Sequence, residues 1–364
     1  MLTSGWVLPL DVSVPVTREG NYDVTHIESV LRRLGLEGIS AFFAVARGYA
    51  EAFAIDADLL ADRGASEYAV LSADPEGLAV LDHLLSTDVD GSLLAVIYQH
   101  LVGRGFRSTS GKFFTPMSVA RSMASLLPVT PEAVVMDPSC GGGTFLLEAS
   151  RRWGLTPCSL LGNDVEPSLA VLTALTLAIR ASNRQRHVFA ENMFYPSSDL
   201  SSRFGTIDAM LANPPFSLRI SVGGFTSPLV AAGYSNSDAV FLDLAWSLLR
   251  PGGRLVCLLP HSLIANSDFE RMRWEVESRW ALRAVIGLPE GIFYTTAATS
   301  TRADIVVLDK RSDADPTGHV LFAHASSAGI GLNARDRAPE DDLGRLVADP
   351  EVRCALDLDI ASLG

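Results

Sequence analysis

Ile207-Asp208-Ala209-Met210-Leu211-Ala212-Asn213-Pro214-Pro215-Phe216 is the stretch on which the fold turns. Its first six residues have the length and composition of a buried strand, and the two prolines that follow stop any hydrogen-bonded ladder. The Asn213 amide and the Pro214 carbonyl are thereby held stiffly at the carboxyl end of a strand, where open α/β sheets bind ligands. Two uncharged acceptors side by side suit the two hydrogens of a planar amino group. Phe216 adds a ring face for an aromatic base. The chemistry suggested is transfer to an sp² amine. Alone, the same residues would also serve as an ordinary strand-ending turn, so the rest of the chain has to discriminate.

Upstream, Ala133-Val134-Val135-Met136 is a short apolar strand running into Asp137-Pro138-Ser139-Cys140-Gly141-Gly142-Gly143-Thr144-Phe145-Leu146-Leu147. Strand, glycine-rich turn and helix start follow one another, and the glycines allow close backbone approach to a ligand at a helix N-terminus. The commoner tenant of such a turn is a dinucleotide, but an acidic Pro dipeptide ahead of the glycines departs from the spaced-glycine fingerprint. Further on, Ser159-Leu160-Leu161-Gly162-Asn163-Asp164 reads as a second strand ending in an acid placed to hold a ribose diol. A nucleoside-containing cofactor is expected.

Gly111-Lys112-Phe113-Phe114-Thr115-Pro116 precedes an apolar helical segment, Val119 to Leu127, just ahead of the glycine-rich strand. Followed by Asp-Pro-x-Cys-Gly-x-Gly-x-Phe-Leu and Asn-Pro-Pro-Phe, it resembles the adenine-specific DNA methyltransferases, most closely the modification subunit of type I restriction-modification systems. The resemblance continues through Leu248 to Pro260 and through Val285 to Phe293 and Thr299-Ser300-Thr301, ahead of a final strand at Ile305 to Leu308. It implies a Rossmann-like α/β sheet dependent on S-adenosylmethionine. Asn213, Pro214, Pro215 and Phe216 would then be catalytic, with Phe216 and Phe293 stacking a base flipped out of the duplex. Phe114 and Thr115 would close over the methionyl end of the cofactor, with Asp137, Pro138, Gly141 and Gly143 near it and Asp164 on the ribose. Glu166 is the alternative for that ribose contact. Asn192 and Met193 would meet the cofactor's adenine, although many relatives have an acid where Asn192 stands.

Composition agrees. A chain of 364 residues, 48% hydrophobic, can bury a large core, and it contains no uncharged apolar run long enough to span a membrane. The N-terminus lacks a secretion pattern, so a cytoplasmic location is expected. Four widely spaced cysteines form no metal signature and read as structural thiols, Cys140 included. Seven scattered histidines show no ligand spacing, and no metal is assigned.

The chain divides into a mainly helical N-terminal domain (1–106), a catalytic domain (107–310) and a C-terminal extension (311–364). Residues 1 to about 20 alternate Val and Leu and read as an edge strand or hairpin. Helical spacing then runs through Ile27, Val30, Leu31 and Leu34 to Leu93, Val96, Ile97 and Leu101. This region would contact DNA and partners, or would simply cover one face of the sheet. A small, polar, basic linker spans Gly103 to Gly111, and a last weak periodicity around Leu343 to Leu356 suggests a C-terminal helix or tail.

A net charge of −13 deprives the isolated chain of the field that holds a phosphate backbone. Local clusters at Arg104, Arg107 and Lys112, at Arg184 and Arg186, and at Arg271, Arg273 and Arg279 are candidate phosphate contacts or solvated helix faces. No sequence-reading module is visible. The resemblance therefore implies a hetero-oligomer on duplex DNA, with a separate specificity subunit and a restriction subunit. Rival readings are a protein-glutamine methyltransferase, an RNA guanine methyltransferase, or a defence subunit that senses cofactor or DNA with little turnover.

Overall fold

Alternating side chains along the central strands fall into two apolar sets, and this alternation builds the two faces of one sheet. The computed structural model describes residues 24–53, 55, 57–88, 91–102, 115–221, 227–293, 302–312, 319–330 and 340–358. The expected edge strand or hairpin near the N-terminus, the linker from Gly103 to Gly111 and Thr299–Thr301 lie outside these residues.

Eight strands form the sheet: β1 Ala133–Asp137, β2 Cys158–Asn163, β3 Gln185–Phe189, β4 Ile207–Ala212, β5 Leu249–Pro260, β6 Trp280–Gly287, β7 Ala303–Lys310 and β8 Leu321–His324. Their spatial order is β3-β2-β1-β4-β5-β7-β6-β8. β3 through β5 run parallel in this order, β7 is inserted antiparallel between β5 and β6, and β8 pairs parallel with β6. The chain departs from β1 first to one side and later to the other. A crevice must therefore open at the carboxyl ends of β1 and β4. Val135 stands opposite Ala209 and Met136 opposite Met210, so Asp137 and Asn213 leave neighbouring strands.

On one face, Val135, Leu160, Ala209, Leu211 and Val256 join the core beneath helices Met117–Ser125, Thr144–Trp153 and Pro167–Arg180. On the other, Met136, Leu161, Met210, Ala212 and Leu255 pack with residues of helix Ser237–Leu248. Helix Pro167–Arg180 is buried along nearly its whole length. A helix apolar all round needs cover on both sides. The second cover is the N-terminal helical layer, chiefly Gly38–Phe53 and Ser92–Leu101, whose side chains share that core cluster. The Tyr98 hydroxyl lies 3.2 Å from Ser168 Oγ at this seam.

Of the two readings of the segment around Leu343 to Leu356, helix or tail, the structure has helices. β8 extends the sheet beyond β6, so the strand at Ile305 to Leu308 is not the last. Helices Asp342–Ala348 and Pro350–Ala355 follow, with Leu343, Val347 and Leu356 in the core. Arg353 is fully buried, and Arg254, paired to Asp309 at 2.7 Å, donates to the Leu356 carbonyl at 2.9 Å. Several expected cationic contacts are also structural. Arg184 is buried and donates to the carbonyls of Ser150, Gly154 and Thr156. Arg273 donates to the Leu263 and Asn266 carbonyls, and Arg279 pairs with Asp243. Cys140, Cys158 and Cys257 are buried free thiols; Cys354 is exposed.

Candidate active site

β1 ends in Asp137 and β4 in Ala212, so the loops that follow them meet at the switch point: Ser139 Oγ lies 3.3 Å from the Asn213 carbonyl oxygen. The Asn213 side chain is pinned by its nitrogen, Nδ2 donating to Thr115 Oγ1 at 3.1 Å, while its buried Oδ1 has no partner among the described residues. The carbonyl of Pro215 is taken by the Ser237 hydroxyl at 2.6 Å, whereas no hydrogen bond from the described residues reaches the Pro214 carbonyl. Two neighbouring acceptors are left over. Buried polar atoms in folded proteins are almost always paired, so an orphan at the mouth of a crevice asks for a ligand donor.

Asp137 presents a second orphan. It is fully buried, with Oδ1 accepting from the Ser139 amide at 3.1 Å and Oδ2 without a partner among the described residues. Burial, reinforced by the nearby Asp164 carboxylate and opposed by the Ser139 amide, raises its pKa well above the usual carboxylate value. A cationic ligand would relieve this cost. Between the two acids lies the glycine turn. Gly141 (φ +51°) has nothing among the described residues within 4 Å of where a Cβ would stand, and Gly143 (φ +83°) backs onto Thr173, whose hydroxyl donates to the Gly141 carbonyl at 2.6 Å. The turn is thus fixed from behind and open in front.

Asp164 accepts from the Gly141 amide at 3.0 Å and from the Glu166 amide at 2.9 Å, one on each oxygen, which orients the carboxylate. The next residue, Val165, is an exposed apolar side chain. An orphan buried acid, an open glycine cradle, an oriented second acid and an apolar surface beside it fit a ligand carrying an ammonium, a diol and an aromatic base.

The remaining expected residues divide. Phe114 lies outside the described residues. Pro138 is buried, and its carbonyl accepts from Asn163. Phe216 is partly buried and packs against the core, whereas Phe293 is 2% exposed and belongs to the core itself. Asn192 Oδ1 caps a turn, accepting from the Phe194 amide at 3.0 Å, and the Met193 side chain packs in the core. Thr115, expected over the cofactor, accepts a hydrogen bond from Asn213.

Sequence reasoning missed Asn163. Buried at 1% exposure, it donates to the Pro138 and Glu191 carbonyls at 3.0 and 3.1 Å and accepts from the Glu191 amide at 3.3 Å, tying together the loops that follow β1, β2 and β3. Its only signal was an amide placed just before the strand-end acid. Asn163→Ala should lower unfolding stability by about 2–4 kcal/mol, because it strands buried backbone groups. A loss under about 1 kcal/mol in denaturant unfolding would mean that the loops hold one another without it.

Residues 90–345 match the family model described as N-6 DNA Methylase, most of the chain's length. The chain belongs to that family. Among relatives, the methylase subunit of the type I restriction enzyme MjaVII from Methanocaldococcus jannaschii is 24% identical over 272 residues, covering 69% of this chain and 46% of the relative. The type II methyltransferase M.VspI from Vibrio sp. (strain 343) is 23% identical over 206 residues, 55% of this chain and 50% of its own. The chain thus spans about half the length of these curated relatives. A crystal structure of the type I restriction-modification system methyltransferase subunit from Streptococcus thermophilus superposes with a TM-score of 0.60 at 21% identity, covering 93% of this chain and 75% of that one. The Rossmann-like methyltransferase fold expected for this family is the one observed. No helix among the described residues is long and apolar enough to cross a membrane.

Proposed function

We propose that this chain is an S-adenosylmethionine-dependent DNA methyltransferase that modifies the exocyclic amine of adenine as the modification subunit of a restriction-modification system. The observation that carries this reading is the pair of acceptors left without a partner among the described residues, Asn213 Oδ1 and the Pro214 carbonyl, at the end of β4. When bound, the cofactor supplies a methyl group activated by a sulfonium. Asp137 would hold its ammonium, Asp164 its ribose hydroxyls, and Val165 would offer apolar surface to its adenine.

The target amine is a poor nucleophile because its lone pair is delocalised into the ring. Asn213 Oδ1 and the Pro214 carbonyl accept its two hydrogens, draw the nitrogen toward tetrahedral geometry and concentrate the lone pair on the methyl side. The nitrogen would thereby be poised to take the methyl group that the bound cofactor would supply, its surplus proton leaving to solvent. Flipping the base costs a few kcal/mol, offset in part by stacking on Phe216. Sequence reading is assigned to a separate specificity subunit, and a restriction subunit joins the same hetero-oligomer on duplex DNA. The rationale is the net charge of −13 and the use of Arg184, Arg273 and Arg279 within the fold.

Incubation with labelled S-adenosylmethionine and unmodified duplex DNA, with and without the products of neighbouring genes, tests the reading. Label is expected in N6-methyladenine, weakly and without sequence preference from the chain alone and at defined sites with its partner. Salt dependence of DNA binding should be shallow for the chain and steep for the complex, by about one unit of logarithmic slope per neutralised phosphate. Label in a protein glutamine or an RNA guanine instead would overturn the assignment.

A further inference from the structure

Both peptide planes that flank Phe216 are held by adjacent residues of one helix. The Pro215 carbonyl, in the plane before the ring, accepts from Ser237 Oγ at 2.6 Å. The Ser217 amide, in the plane after it, donates to Asp238 Oδ2 at 3.0 Å. Ser237 and Asp238 open helix Ser237–Leu248, and both are 0% exposed. The grip extends outward. The Leu218 amide donates to Ser237 Oγ at 3.0 Å, the Ser237 amide to the Leu218 carbonyl at 2.8 Å, and the Ile220 amide to the Ser235 carbonyl at 2.8 Å.

Two further facts show that this clasp works against local preference. Ser217 has φ +53°, a left-handed conformation that a non-glycine residue adopts at an energetic cost and that clusters at functional sites. Asp238, meanwhile, keeps a carboxylate oxygen buried without a partner among the described residues, although Asn236 Nδ2 steadies the other at 3.2 Å. A turn needed only to end a strand would require neither. With the planes on either side fixed, the backbone torsions of Phe216 are fixed, and so is the direction in which its ring leaves the chain.

We propose that Ser237 and Asp238 are positioning residues that set the Phe216 ring, and with it the Pro214 carbonyl, in register with the flipped base. This rests on the methyltransferase reading above. Misplacement of a reacting group by about 1 Å can cost on the order of 10²-fold in rate. Ser237→Ala and Asp238→Ala in the full chain with its specificity partner are therefore expected to lower kcat by about tenfold or more. The affinity for S-adenosylmethionine, measured by calorimetry, should stay within about twofold, since neither residue touches the glycine turn.

The decisive readout is a double-mutant cycle with Phe216→Ala, because residues acting through one another give non-additive losses. In the Phe216→Ala background, Asp238→Ala should cost less than about threefold, and Asp238→Asn, which keeps an acceptor for the Ser217 amide, should recover most of kcat. If Asp238→Ala does not fold, Ser237→Ala carries the same cycle. Fully additive losses, or kcat within threefold of the parent for both residues in folded protein, would overturn the proposal. Asn213→Ala, run alongside, separates the two levels: if it retains transfer, the functional reading itself fails, whereas its inactivity with unaffected Ser237 and Asp238 variants sinks the positioning role alone.

Discussion

Asn213→Ala is expected to lower methyl transfer by about 10²- to 10³-fold, the scale of removing one preorganised hydrogen-bond partner from a transition state. The side chain contributes little to packing. Its nitrogen meets only Thr115 and its oxygen meets nothing described, so the thermal midpoint and the affinity for S-adenosylmethionine should hardly move. Asn213→Asp separates geometry from hydrogen-bond pattern, since it keeps an acceptor but loses the donor to Thr115. It should retain more activity than the alanine variant and less than the parent. Transfer by Asn213→Ala within a few-fold of the parent, measured in single turnover at saturating cofactor, would remove Asn213 from the mechanism and the functional reading with it.

Asp137→Asn should act on binding and stability in opposite directions. Burial raises the Asp137 pKa well above its unfolded value, so the carboxyl contributes stability that is fully present below the unfolded pKa of about 4 and is lost as pH rises through the folded pKa. The ligand-free protein should therefore lose stability from about pH 4 toward neutrality, and Asp137→Asn should flatten that part of the profile and melt higher at neutral pH. A buried carboxylate facing an ammonium is worth about 1.5–3 kcal/mol, so the same substitution should weaken S-adenosylmethionine binding by about 10- to 100-fold. Thermal melts across pH, with and without cofactor, check both arms together. Unchanged affinity would place the ammonium elsewhere, and a variant less stable than its parent at neutral pH would show that the carboxylate is satisfied in the fold.

Legibility followed burial. β1, β2, β4 and the core of β5 stand inside the sheet, covered on both faces, so each reads as a run of apolar residues. β3 and β8 lie at its two edges, where Gln185, Phe322 and His324 are exposed. Their periodicity is too short and too polar to see, and it is the neighbouring strand that makes each one a strand. Polar residues behaved likewise. Asn213, Asp137 and Asp164 could be singled out because proline, glycine or a strand end beside them marks a turn at a ligand edge. Arg184 and Arg353 could not be told from solvated or phosphate-facing cations, since only their carbonyl partners, contributed by other segments, reveal them as internal struts.

The sequence by itself determined the α/β class, the glycine turn and the Asn-Pro-Pro-Phe edge, because composition, periodicity and backbone stiffness are local properties of the chain. Only the tertiary structure decided that Thr115 anchors Asn213 across 98 positions, that Asn163 ties three loops, that Phe293 lies in the core while Phe216 is only partly buried against it, and that the C-terminal segment completes the sheet. Each of these depends on which distant group shares a buried space and on whether a polar atom finds its partner there. That information resides in the packing of segments against one another, not in any one of them.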